Sequence, residues 1–328
     1  MEDIESPIQQ DEFMPVPLST LQADTATGFD LYLQVKTDAP HTLYREKSLP
    51  FTSELKLRLV DNGIEELFVP LAQRKEYVAY MEAIVDVVME DDTVDQAERT
   101  RIYYDAAEHI VRDIFEEASP DSTVPRCENL VLSAVSFLRR EKYSKECFLK
   151  VLSLDYSTYT HAVNSFLYAI HLGQAVGVDD PEDLADLGLA ALLMDIGKTQ
   201  IDLTILYRRG ALNDEQMGRM KEHPRLGHTL AQRVGVTNDR ILDVILHHHE
   251  VLTGSGYPDR LRGNEIGQFV RIATICDIFD ALTTNRSHQD AISSFGALRH
   301  MQEDMGDDLD PKLFRTFVQM LADKRSGA

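Results

Sequence analysis

The stretch HHHEVLTGSGYPDRLRG, His247 to Gly263, constrains this chain more than any other. Three consecutive histidines followed by a glutamate do not suit the apolar face of a helix. Neutral imidazoles are metal ligands, and adjacent ones reach a single ion only where the backbone leaves regular geometry. Gly254 and Gly256 supply that freedom and Pro258 fixes the exit. A polar helix end running into a turn would have similar composition, so the remainder of the chain decides between the two.

The 328 residues suffice for two domains and a sizeable core, and a hydrophobic fraction of 43% is that of an ordinary globular protein. A formal net charge of -22 argues against a long nucleic acid as partner, because a polyanion needs a basic face. A small anionic ligand remains open if local cations or metals gather it. No apolar run is long enough for a membrane span. MEDIESPIQQDEF lacks the apolar core of a signal peptide. Cys127, Cys147 and Cys276 are scattered and odd in number, which fits a reducing compartment, and the expected location is the cytoplasm.

Residues 1 to 28, with three prolines, read as a weakly ordered lead-in. Phe29 to Val35 alternates as a half-buried strand does, and HTLYREK and IEELFVP read as two more. Ser53 to Gly63 is a short helix by its Leu55 and Leu59, while Leu57 keeps a strand open. From Leu71 the period is helical, with Tyr77, Tyr80, Met81, Ile84, Val87 and Val88 on one stripe. Further helices are expected over 94–118, 126–140 and 144–154, with SPDSTVP as a hinge. The expected fold is mainly α: a smaller α+β and helical region over 1–150, regulatory or dimerising, then a second domain over 151–328.

Nine of the eleven histidines follow Asp155, interleaved with acids. His161 lies early in a helix with a core-facing stripe. Asp195 ends the apolar helix DLADLGLAALLM and needs a cation. Lys198, three residues on, would provide one as a simple salt bridge. His223, before a proline, is expected to end a helix and sit at a corner. Asp277 and Asp280 share one face of an otherwise apolar helix. Together these residues form a nitrogen and carboxylate set suited to two transition metals.

MDIGK, KEHP, HHE, GSGYP and RIATICDIFDALTTNR, in this order and followed by LDPKLF, resemble the HD-GYP family of cyclic di-GMP phosphodiesterases, a group of HD metal-dependent phosphohydrolases. The resemblance runs from about residue 160 to 322. It implies that the domain over 151–328 is all-helical, with two divalent transition metals, iron or manganese, held by His161, Asp195, His223, His248, His249 and Asp277, and Asp195 shared. It implies that Asp195 and Lys198 are catalytic, with Lys198 at the scissile phosphate. Tyr257, Asp280 and Arg286 would meet the substrate, and Arg286 would meet its second phosphate. The implied reaction is hydrolysis of cyclic di-GMP by in-line attack on phosphorus, giving linear pGpG, with GMP open as a further product.

The chain departs from the pattern at four places. Met194 stands where the HD histidine is expected, Ser157 where some relatives have a glutamate for a third metal, Thr253 for an aspartate and Gln289 for a basic residue. A thioether is a weak ligand for iron or manganese, so reduced activity is expected. A domain that senses nucleotide or binds protein without turnover is the rival reading. Protein signalling partners and a homodimer both stay open.

Overall fold

The computed structural model describes residues 12–36, 39–119, 121–140, 144–152, 157–206, 208, 210–285 and 291–322. Contacts divide the chain into two compact units, Met1–Ala106 and Ala107–Ala328. The first is α+β and the second helical, a mainly α protein.

In the first unit the strands are β1 (Phe13–Pro17), β2 (Thr25–Ala26), β3 (Leu31–Leu33), β4 (Thr42–Arg45), β5 (Pro50–Phe51) and β6 (Glu66–Pro70). Helix α1 (Ser53–Asp61) lies between β5 and β6. One antiparallel sheet has the order β1-β6-β3-β4, and β2 pairs with β5. The lead-in expected to be weakly ordered is corrected here: its described part contains edge strand β1, with Met14 opposite Val69 and Val16 opposite Leu67. An edge strand tolerates prolines, which is why Pro15 and Pro17 hide it from a sequence reading. Helix α1 settles the Ser53 segment as helical. Thr52 accepts from the Leu55 amide as its cap, Leu59 faces inward and Leu57 is exposed.

Helix α2 (Arg74–Glu90) buries Tyr77, Val78, Met81, Ile84, Val85 and Met89. Val87, expected on the inward stripe, is 54% exposed: the buried face is turned toward Val85 and Met89. Helix α3 (Gln96–Glu116) follows, and the division between the units falls within its span. The boundary expected near residue 150 rests on where the histidine-rich motifs begin, a different criterion from compactness.

The second unit continues with α4 (Thr123–Arg140), α5 (Ser144–Val151), α6 (Thr158–Ala175), α7 (Pro181–Leu193), α8 (Leu203–Leu206), α9 (Asp214–Met220), α10 (His223–Arg233), α11 (Asp239–His247), α12 (Gln268–Thr283), α13 (Ser294–Asp304) and α14 (Pro311–Ala322). Helix α6 is the centre, buried over nearly all its length and packed against α7, α12 and α14. Phe166, Leu167, Leu187, Ile272, Phe279 and Phe317 fill the space between them. Such a helix, apolar on most sides, is stable only inside a bundle. Among the described residues, no helix is long and apolar enough to cross a membrane.

Candidate metal centre

Besides α12, which carries Asp277 and Asp280, four elements deliver the site. Helix α6 brings His161 in its first turn, after Ser157 and Thr160 form a reciprocal cap. Helix α7 ends at Leu193, so Met194 and Asp195 leave the helix at the bundle centre, both fully buried. The turn after Asp195 crosses α10 so closely that a Cβ on Gly197 would overlap the His223 carbonyl oxygen and the Gly227 backbone. Only glycine permits this approach, which sets Asp195 and Lys198 beside His223. His223 begins α10 instead of ending a helix as expected: Pro224 occupies the first turn, where its missing N–H is no loss.

The fourth element is the irregular segment after α11. His248 and His249 follow the helix end, and Gly256 packs on their backbone: a Cβ there would lie 2.5 Å from the His249 carbonyl oxygen and 2.6 Å from Glu250 Cα. Tyr257–Pro258 is a cis peptide. The buried Glu250 carboxylate accepts from the backbone amides of Asp259 (2.6 Å), Arg260 (2.8 Å) and Leu261 (3.1 Å). This one side chain fixes the exit of the loop. The sequence reading did not identify its role, because its partners are backbone groups nine to eleven residues away and leave no side-chain pattern.

Around Asp195 the expected ligands come together. His161 Nε2 lies 3.0 Å from Asp277 Oδ1 and 3.3 Å from Asp195 Oδ2. His223 Nε2 is 3.2 Å and His248 Nε2 3.7 Å from Asp195 Oδ1. His249 Nδ1 is 3.3 Å from Asp277 Oδ2, and its Nε2 is 3.2 Å from His223 Nε2. Ligand atoms of Asp195, His223, His248 and His249 all lie within 4.8 Å of one another, close enough to share an ion. Lys198 Nζ donates to Asp195 Oδ2 at 2.5 Å, so the plain salt bridge exists as well.

The proton inventory tests whether a cation fits. His223 Nδ1 lies 2.7 Å from the Met220 carbonyl oxygen and His248 Nδ1 3.0 Å from that of Ile245. A carbonyl only accepts, so each Nδ1 carries the hydrogen and each neutral ring turns a bare Nε2 inward. Those two nitrogens are 3.2 Å apart, and Asp195 Oδ1 beside them receives no hydrogen bond. His249, with Nδ1 on Asp277, adds a third bare nitrogen. Buried lone pairs converging without a proton repel, and a cation at their centre removes the conflict. Imidazole nitrogens with a carboxylate suit a divalent transition ion.

Protonation preferences agree. Burial drives His249 down to about 3, assisted by neighbouring His248 and against the pull of Asp277. Burial also lowers His223. Burial alone would raise Asp195, but the Lys198 ammonium overcomes it and holds the carboxyl well below the usual range. Burial likewise opposes ionisation of Asp277, and neighbouring His249 and His161 outweigh it. His223 and His249 are therefore neutral and Asp195 and Asp277 ionised, the forms that bind metal. The Tyr257 hydroxyl is pushed up by burial and by Asp277 and Asp195, and it stays protonated.

Two of the residues expected at the substrate have particular positions. Asp280, expected at the substrate, is 1% exposed. One oxygen faces His161 Nδ1 at 2.6 Å and the other accepts from Asn164 at 2.7 Å. Tyr257 stacks on His249, with ring centroids 4.7 Å apart. Arg286, with Gln289, lies outside the described residues. His247, the first of the three histidines, turns away to Asp243 (2.7 Å) and Asp259 (3.0 Å), and these carboxylates raise it against the effect of burial.

A family described as the HD domain matches residues 147–313. A cyclic di-GMP phosphodiesterase of Pseudomonas aeruginosa is 32% identical over 207 residues, 63% of this chain and 46% of the relative. A cyclic di-GMP phosphodiesterase response regulator of Xanthomonas campestris is 36% identical over 135 residues, 40% of this chain and 35% of the relative. A 3'3'-cGAMP-specific phosphodiesterase of Vibrio cholerae is 31% identical over 167 residues, 49% of this chain and 31% of the relative. The chain thus spans less than half the length of each of these three. Among solved structures, an HDG"Y"P protein from Bdellovibrio bacteriovorus superposes with a TM-score of 0.70, covering 94% of this chain and 99% of that one. At 20% identity that likeness speaks for the fold alone.

Proposed function

This chain belongs to the HD domain family, in its HD-GYP group, and we propose that it is a metal-dependent phosphodiesterase that hydrolyses cyclic di-GMP to linear pGpG. The observation that carries this reading is the clustering of three imidazole nitrogens around a buried carboxylate oxygen without a donor, within the matched domain. The names of the relatives supply the substrate class.

Two ions, iron or manganese, would share Asp195. His223 and His248 approach Oδ1, while His161 approaches Oδ2 and joins Asp277. When bound, such ions supply Lewis-acid polarisation of a phosphoryl oxygen and a water acidic enough to ionise near neutral pH. Lys198, only 8% exposed and already paired with Asp195, neutralises charge building on the phosphoryl group. Tyr257 keeps its proton and offers a hydrogen bond at the entrance. Asp280 fixes the His161 tautomer, an orienting role in place of the expected substrate contact. The reaction is assigned to the cytoplasm, and the region over 1–150 to regulation or dimerisation.

The test is incubation of iron- or manganese-loaded protein with cyclic di-GMP, with products separated by chromatography. Linear pGpG is expected. Folded, metal-loaded protein that leaves cyclic di-GMP intact would overturn the enzymatic reading. Binding without cleavage would then support the sensing role that Met194, buried directly before Asp195, favours.

A further inference from the structure

Lys221 differs in its partner from three other cations of this region. Arg225 is paired with Asp259, Arg219 with Glu222 and Lys198 with Asp195. Lys221 is exposed and has no carboxylate partner among the described residues, in a chain with 55 acidic and 33 basic side chains. Its ammonium instead lies over the ring of Tyr257, 5.1 Å from the centroid. That ring is stacked on His249, a member of the buried cluster. A row therefore runs outward from the cluster through His249 and Tyr257 to a free positive charge. An exposed cation over an aromatic face gains only about 0.5–1 kcal/mol, and the contact leaves ammonium hydrogens available to another acceptor.

A cyclic dinucleotide has two phosphodiesters. When one enters the cluster beside the buried Lys198, the other remains outside it. We propose that Lys221 binds this second, non-scissile phosphate, with the Tyr257 ring holding the ammonium in place. The inference rests on the cyclic dinucleotide reading of the same site and adds to it a residue that selects for two-phosphate substrates. It also gives this acidic chain a local positive charge to draw in an anion.

The experiment is steady-state kinetics of the metal-loaded full chain on cyclic di-GMP and on bis(4-nitrophenyl) phosphate, which has one phosphate. Wild type, Lys221→Met and Lys221→Arg are compared. Lys221→Met should raise KM for cyclic di-GMP about tenfold with little change in kcat, as loss of one partly exposed charged hydrogen bond would. Its kcat/KM should also depend less on salt than that of wild type. Lys221→Arg should restore most of the affinity. The ratio of kcat/KM for the dinucleotide over the ester should fall with KM. Unchanged KM in Lys221→Met would overturn the inference, and so would an equal loss on both substrates, which marks a structural role through Tyr257. If wild type binds but does not cleave cyclic di-GMP, the same tenfold change is expected in Kd and decides the matter. A wild type that cleaves the ester yet neither binds nor cleaves cyclic di-GMP overturns the substrate reading, and the inference with it.

Discussion

His161 and His249 bring the same imidazole to the same carboxylate, Asp277, from opposite kinds of scaffold. His161 belongs to α6 at the centre of the bundle, and Asp280 of α12, itself held by Asn164 of α6, locks its far nitrogen. His249 belongs to a segment without regular structure, whose course depends on Gly256, the Tyr257–Pro258 turn and the Glu250 carboxylate. The helical half is over-determined by packing, while the loop half hangs on a few hydrogen bonds. Removing one polar group should therefore change ligand chemistry in the first half and loop order in the second.

The largest effect is expected from Asp280→Asn. The His161 tautomer loses its anchor, so metal affinity should fall about 10- to 100-fold while the fold persists. Metal titration with circular dichroism checks this, and unchanged affinity would show that packing alone orients His161. Glu250→Gln should act through the loop. Replacing the charged acceptor of three amides destabilises that segment by about 2 kcal/mol, seen as faster hydrogen exchange at Asp259–Leu261 than in α6. Equal acceleration in both regions would erase the contrast drawn here.

Met194→His sharpens the helical side. Met194 is fully buried directly before Asp195, and an imidazole there should tighten metal by about tenfold, against a packing penalty of about 1–3 kcal/mol. Unchanged affinity would make Met194 a core residue only. The smallest effect concerns His247, which ties α11 to the loop through Asp259. Its folded pKa is raised above 6.5, so its contribution is complete below pH 6.5 and is lost as pH rises through the folded value. Raising pH from 6 to 9 should lower Tm slightly more in wild type than in His247→Gln, a difference below about 1 kcal/mol because the group is partly solvated. Equal slopes would remove the tie.

Residue types and spacing marked the helices and brought attention to His161, Asp195 and Asp277 as polar residues on apolar helices, to His223 before a proline, and to His248 and His249 in a histidine run beside glycines. What stayed illegible depended on tertiary partners. Edge strand β1 was hidden by prolines that an edge tolerates. His223 opens a helix because Pro224 fits a first turn, an alternative that local rules do not rank. Asp280 shared a face with Asp277 in the sequence, yet only the position of α6 shows that it clasps His161. Glu250 was passed over because its partners are backbone amides.

Both halves of the site meet at Asp195, so the decisive measurement is elemental analysis of wild type and Asp195→Asn, purified anaerobically and matched for folded fraction. Iron or manganese is expected near stoichiometry in wild type, roughly one to two ions per chain, with clear depletion in Asp195→Asn and loss of cyclic di-GMP hydrolysis. Metal-free wild type, three ions per chain, or full occupancy in Asp195→Asn would contradict it.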